Sequence, residues 1–77
     1  MKPEHEILNQ IKWDKRLRKE DYTICYLDFG KIKEIPYNDI KRIEEGFMTI
    51  EKDGQETEIP LHRIRIIKKK GEIIWQR

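Results

Sequence analysis

Near the start of the chain Ile7, Leu8 and Ile11 recur at a helical interval, behind Pro3, Glu4 and Glu6. Proline suits a first helical turn and the two carboxylates complement the positive helix end, so residues 3 to 13 are predicted to form a short amphipathic helix. Trp13 closes the apolar stripe, where a large aromatic is expected to pack on the core, the alternative being a place beside a binding face. From Tyr22 to Phe29 every residue but Asp28 is aromatic, aliphatic, Thr or Cys, the pattern of a strand buried over much of both faces. Gly30 turns the chain into a second, shorter strand over Lys31 to Ile35, which Pro36 stops. Asn38 is expected to cap a helical turn carrying Ile40 and Ile43, with Gly46 as its left-handed stop.

The remainder has the period of a β-meander. Met48 and Ile50 alternate with Thr49 and Glu51, and Asp53-Gly54 is the strongest turn signal in the chain. Gln55 to Ile59 returns, Pro60 breaks the ladder, Ile64 to Lys69 runs forward, and Lys70-Gly71 turns into Glu72 to Gln76. In the strand after Pro60, Ile64 and Ile66 are expected to face the core with Arg63 and Arg65 opposite, and Trp75 to share a face with Ile73. One helix and six short strands predict an α+β fold. The helix packs on a small, twisted, mostly antiparallel sheet or partly closed barrel of five to six short strands.

Length changes this picture little: 77 residues bury too small a fraction of their surface for two cores, so residues 1 to 77 are expected to form a single domain. No run of about 18 apolar residues and no basic, apolar leader occurs, which places the chain, as an expectation, in the cytoplasm and away from membranes. Charged residues are 42% of the chain while Ala, Val and Ser are absent, a bias that suits a thermophile. Positive charge is concentrated. The segments Lys12 to Lys19 and His62 to Lys70 carry +4 and +5, leaving the other sixty residues at −7. If Lys15, Arg16, Arg18 and Lys19 face the same way as Lys68, Lys69 and Lys70, the protein has a basic face suited to an anionic partner.

Candidate chemistry is sparse. A chain without serine has no Ser-His-Asp triad, the lone Cys25 lies in a strand expected to be buried, and His5 and His62 belong to different kinds of element with no shared motif. No Gly-rich phosphate loop and no metal-ligand spacing is present, so neither a metal nor another cofactor is expected. Catalysis by this chain is therefore not expected. The segment from Ile59 to Ile66 is more informative, because Pro60 releases the backbone where His62, Arg63 and Arg65 follow. A histidine with two nitrogens and a forked guanidinium can close on a phosphate, unless Arg63 instead pairs with Asp28 or Glu58 inside the fold. Tyr22, Tyr26 and Asp28 share a strand face, and Trp75 is either core or a platform for an unstacked base.

Ile11-Lys12-Trp13-Asp14, the strand Tyr22 to Asp28 as Y-x-I-x-Y-x-D, Ile35-Pro36, Ile59 to Ile64 as I-P-L-H-R-I, and Trp75-x-Arg77 behind Gly71 together resemble the RNA cyclic group end recognition domain. That mostly archaeal family was formerly a domain of unknown function, and the resemblance spans essentially the whole chain. It implies RNA as partner, with recognition of ends bearing a 2′,3′-cyclic or terminal phosphate, and a setting among RNA-processing enzymes. Trp13, Tyr26, Asp28, His62, Arg63, Trp75 and Arg77 are the matching positions. One departure stands out: a basic residue is expected shortly after the Tyr-x-Asp strand, and Phe29-Gly30 stands there instead. The expected mode is a monomer holding a single-stranded RNA end on His62, Arg63 and Arg65 with Tyr26 or Trp75 against base or ribose, and without turnover. A protein-interaction adaptor and a small phosphoesterase are the alternatives.

Overall fold

The computed structural model describes residues 3–77. Helix α1 runs Glu4–Trp13, starting at Pro3 as its N-cap, and buries Leu8 and Ile11, each worth roughly 1.5–3 kcal/mol of apolar burial. It ends where the Asp14 carboxylate accepts the backbone N–H of Arg16, a local turn that competes with further helix. Seven strands follow: β1 Tyr22–Asp28, β2 Lys31–Pro36, β3 Ile40–Glu44, β4 Phe47–Lys52, β5 Gln55–Pro60, β6 Ile64–Lys69 and β7 Glu72–Gln76. They form two antiparallel sheets, one ordered β2-β1-β6-β7 and the other β3-β4-β5. Their facing sides share a core with Leu8 and Ile11 of α1, built around Ile24, Met48, Ile64 and Ile67.

The two sheets are separate, so the expected partly closed barrel is not formed, and the strand count rises from six to seven. The additional strand is β3, where a helical turn was expected from Asn38 to Gly46. A 3₁₀ turn over Tyr37–Asp39 precedes it instead. The spacing that reads as helical, Ile40 to Ile43, is reconciled with a strand by a register shift between Ile40 and Arg42, which lets both isoleucines lean toward the core. The same device corrects β6. A shift opposite Cys25 and Tyr26 puts Ile64 and Ile67, not Ile66, in the core. A third shift between Ile67 and Lys68 separates Trp75, which is buried, from Ile73, which is exposed.

These parallels reflect an internal repeat. Glu34-Ile35-Pro36 recurs as Glu58-Ile59-Pro60, and the same offset of 24 positions carries Phe29-Gly30 onto Asp53-Gly54 and Ile40 and Ile43 onto Ile64 and Ile67. The structure obeys it pair by pair. Ile24 faces Ile35 and Ile67, while Met48 faces Ile59 and Ile43; Tyr26 faces Ile64, while Ile50 faces Ile40. Each half is a hairpin, a 3₁₀ turn and a third strand, and the third strands are exchanged: β6 of the second half completes the sheet of the first hairpin, and β3 of the first half completes the second. The exchange forces the two hairpins to pack together, since neither half makes a three-stranded sheet by itself.

Candidate functional site

Between the hairpins β1-β2 and β4-β5 lies a cleft of about 630 Å³. Its walls are repeat-equivalent pairs: Tyr26 and Ile50, Asp28 and Lys52, Lys33 and Thr57, Glu34 and Glu58, Ile35 and Ile59. It therefore straddles the pseudo-two-fold relation between the halves. Two residues break the symmetry, Phe29 at the β1-β2 turn and Arg63 in the 3₁₀ turn Leu61–Arg63, whose equivalents are Asp53 and Asp39.

Charge in the cleft is nearly balanced, with much of it paired. Lys33 Nζ lies 2.8 Å from Asp28 Oδ2, and this hydrogen bond raises the lysine's pKa. Glu34 accepts from Lys68 at 3.2 Å and from the Cys25 thiol at 3.5 Å, which holds its carboxyl below the ordinary value. Burial, followed by the neighbouring Glu34, pushes Cys25 upward, so it is kept as a thiol and not as a nucleophilic thiolate. Burial likewise pushes Tyr26 up and keeps its hydroxyl protonated. Among the described residues Arg63, Lys52 and Glu58 have no ion pair. The suspected pairing of Arg63 with Asp28 or Glu58 does not occur.

Of the residues singled out from sequence, the cleft brings together Tyr26, Asp28 and Arg63. His62 is exposed outside its lining, and Arg65 turns back so that its Nη1 donates to the His62 carbonyl at 2.6 Å. Arg77 is engaged by the fold: Nε donates to the Ile64 carbonyl, Nη2 reaches Glu4 at 2.8 Å, and the guanidinium stands over Trp75. Trp75 is 5% exposed and belongs to the core, whereas Trp13, expected in the core, is 74% exposed with Lys12 Nζ over its ring. Lys33, Lys52 and Thr57 were not singled out, and Glu58 was considered only as a partner for Arg63. The repeat would have pointed to Lys52, because it maps β4 onto β1, the strand that carries Tyr26 and Asp28, and it pairs Thr57 and Glu58 of β5 with Lys33 and Glu34 of β2.

The two basic stretches meet at the opposite end of β1. Lys70 N–H donates at 2.7 Å to the carbonyl of Asp21, the last residue of the 3₁₀ turn Lys19–Asp21, and Lys69 lies opposite Tyr22 with its ammonium over the ring. Arg16, Arg18 and Lys68 are paired with Asp14, Glu20 and Glu34, while Lys15, Lys19, Lys69 and Lys70 have no carboxylate partner among the described residues. Lys12 and Lys19 also line a shallow depression with Lys41 and Arg42. No group of three or more His, Cys, Asp or Glu is placed to hold a metal ion among the described residues. No helix there is long and apolar enough to cross a membrane.

Comparison with known proteins places the chain in a family. The chain is 37% identical to a UPF0248 protein of Metallosphaera sedula over 71 residues, covering 91% of this chain and 86% of the relative. It is 40% identical to a UPF0248 protein of Thermococcus sibiricus over 76 residues, 94% of this chain and 82% of the relative. A UPF0248 protein of Saccharolobus solfataricus is 31% identical over 77 residues, covering 94% and 93%. No solved structure matches the chain. The description that fits over residues 1–77 is the MJ1316 RNA cyclic group end recognition domain, and the chain belongs to that family.

Proposed function

We propose that this protein binds the end of a single-stranded RNA in the cleft between its two hairpins and holds a 2′,3′-cyclic phosphate there without turning it over. The observation that carries the reading is Arg63, an exposed guanidinium on the cleft with no carboxylate partner among the described residues. Its planar fork matches two phosphate oxygens, and Lys52 on the facing hairpin supplies a point charge. The Tyr26 hydroxyl, kept protonated, is a third donor. The family's description names the same class of ligand.

The near-balance of charge favours the cyclic end over the open one. A 2′,3′-cyclic phosphate is a diester with one negative charge, whereas a terminal monoester carries about −1.5 to −2 at neutral pH. Asp28 and Glu58 stand in the same cleft, so each additional negative charge on the ligand meets like charge, while a monoanion is satisfied by Arg63 and Lys52. Absence of turnover is supported by the state of Cys25, a buried thiol aimed at a carboxylate. Neither histidine lines this cleft: His62 stands outside it, and His5 lines a different depression with Asn9 and Glu44.

The test is a titration of short RNAs that differ only at the 3′ end, carrying cyclic phosphate, monophosphate or hydroxyl. The cyclic end should bind tightest, and Arg63→Ala should cost roughly 1–3 kcal/mol, a charge-assisted contact, on the cyclic end while leaving hydroxyl-ended RNA nearly unaffected. Equal affinity for all three ends would leave generic RNA binding and remove end recognition.

A further inference from the structure

We propose that Phe29 is a stacking platform for a nucleobase of the RNA bound in the cleft, a role that rests on the reading above and adds a base-contacting residue to it. Phe29 and Gly30 form the two-residue turn between β1 and β2, with Asp28 paired to Lys31, and both have left-handed backbone, φ 50 and 77. The equivalent turn in the second hairpin has nearly the same angles, φ 55 and 80, and fills them with Asp53-Gly54, the residue types such turns favour. Phenylalanine has no side-chain hydrogen bond to offset a left-handed backbone, and its Cβ crowds the carbonyl there. It recovers nothing by burial, because it is 94% exposed. The conformational cost of Phe29 is thus uncompensated within the chain.

The position of Phe29 on the fold points to what compensates it. Phe29 lines the same cleft as Arg63, Lys52 and Tyr26, and it is one of only two residues of the lining without a repeat-equivalent partner there. The other is Arg63. The two departures from symmetry supply the two things a nucleotide presents, a phosphate and a flat apolar face. Of the aromatics predicted from sequence, Tyr26 lines this cleft but is only 8% exposed and belongs to the core cluster, Trp75 is core, and Trp13 lies outside the lining, so none of them offers an open ring face there. Every base has a π-face, so stacking on Phe29 is indifferent to base identity and strengthens binding of any single-stranded end.

Phe29→Asn places a left-handed-tolerant residue in the turn and disturbs no packing. It should raise the thermal midpoint slightly while weakening cyclic-phosphate RNA roughly 5- to 150-fold, the range of single-base stacking contacts. Phe29→Leu keeps apolar bulk without a ring and should weaken RNA to a similar degree. Phe29→Trp should retain affinity and show emission quenched by RNA beyond the change seen in wild type, which carries only Trp13 and Trp75. If Asn and Leu variants bind like wild type while Arg63→Ala does not, the platform is wrong and end recognition stands. Loss in the Asn variant with full retention in the Leu variant would make Phe29 a greasy contact and not a stacking one. Wild type that binds none of the RNAs would overturn both.

Discussion

Thr49 shows how one residue records the unequal fate of two similar halves. Its hydroxyl is buried with no hydrogen-bond partner among the described residues. Its repeat equivalent, Cys25, donates to Glu34, which Lys68 draws across the strand. In the sheet of the second hairpin the position of Lys68 is taken by Glu44 of the exchanged strand β3, an acid that cannot draw Glu58 toward Thr49, and Glu58 is left unpaired on the cleft. A buried unpaired hydroxyl costs about 1–3 kcal/mol, so the isosteric Thr49→Val should stabilise the fold by about 1 kcal/mol. In a chain of this size that is roughly a 4–8 °C rise in thermal midpoint, measurable by calorimetry. A fall in midpoint would mean that the hydroxyl is satisfied after all.

At the scale of elements, the joint that sets the helix against the sheets is a hydrogen bond from the Tyr37 hydroxyl to the Leu8 carbonyl, 2.8 Å long and buried. Burial pushes Tyr37 up to about 12, against about 10 in an unfolded chain. Between those values the unfolded chain has released this proton while the folded one retains it. Stability is therefore fully present below pH about 10 and declines by about 1.4 kcal/mol per pH unit until the folded group ionises. Tyr37→Phe should lose about 1 kcal/mol near neutrality and, relative to wild type, show a shallower loss of stability above pH 10 in denaturant titrations. Identical slopes for both proteins would place the alkaline sensitivity elsewhere. Most elements around this joint were legible in the sequence. The helix, the strands flanking Asp53-Gly54 and the hairpin at Gly30 all follow from period and turn chemistry. The third strand was not, because register shifts allow isoleucines three apart to reach one core from an extended chain, and that spacing alone reads as helix. The same irregularity misassigned the faces of Ile66 and Ile73.

For the whole molecule the informative feature is that basic charge and the cleft occupy opposite ends of β1. That strand carries Tyr22 beside Lys69 at one end and Asp28 on the cleft at the other, about 20 Å apart by strand rise. Sequence alone revealed the two basic stretches but not their meeting, which depends on β6 crossing from the second half to pair with β1. The site was legible to a similar extent: Tyr26, Asp28 and Arg63 converge, whereas Arg65 and Arg77 are spent on carbonyls that only the folded backbone presents. An RNA whose end sits at Arg63 would run its preceding phosphates toward Lys19, Lys69 and Lys70. Those lysines would then supply affinity that is salt-dependent and blind to the end, since counterion release counts phosphates and not their chemistry. Replacing Lys19 and Lys69 by Gln and Lys70 by Asn, which suits its φ of 51, should lower the slope of log affinity against log salt by up to about 2. The ratio of cyclic to hydroxyl-ended binding should be unchanged, the inverse of the Arg63→Ala phenotype. If the triple variant loses end preference and retains its salt slope, the lysine end holds the terminal phosphate and the polarity of the bound strand is reversed.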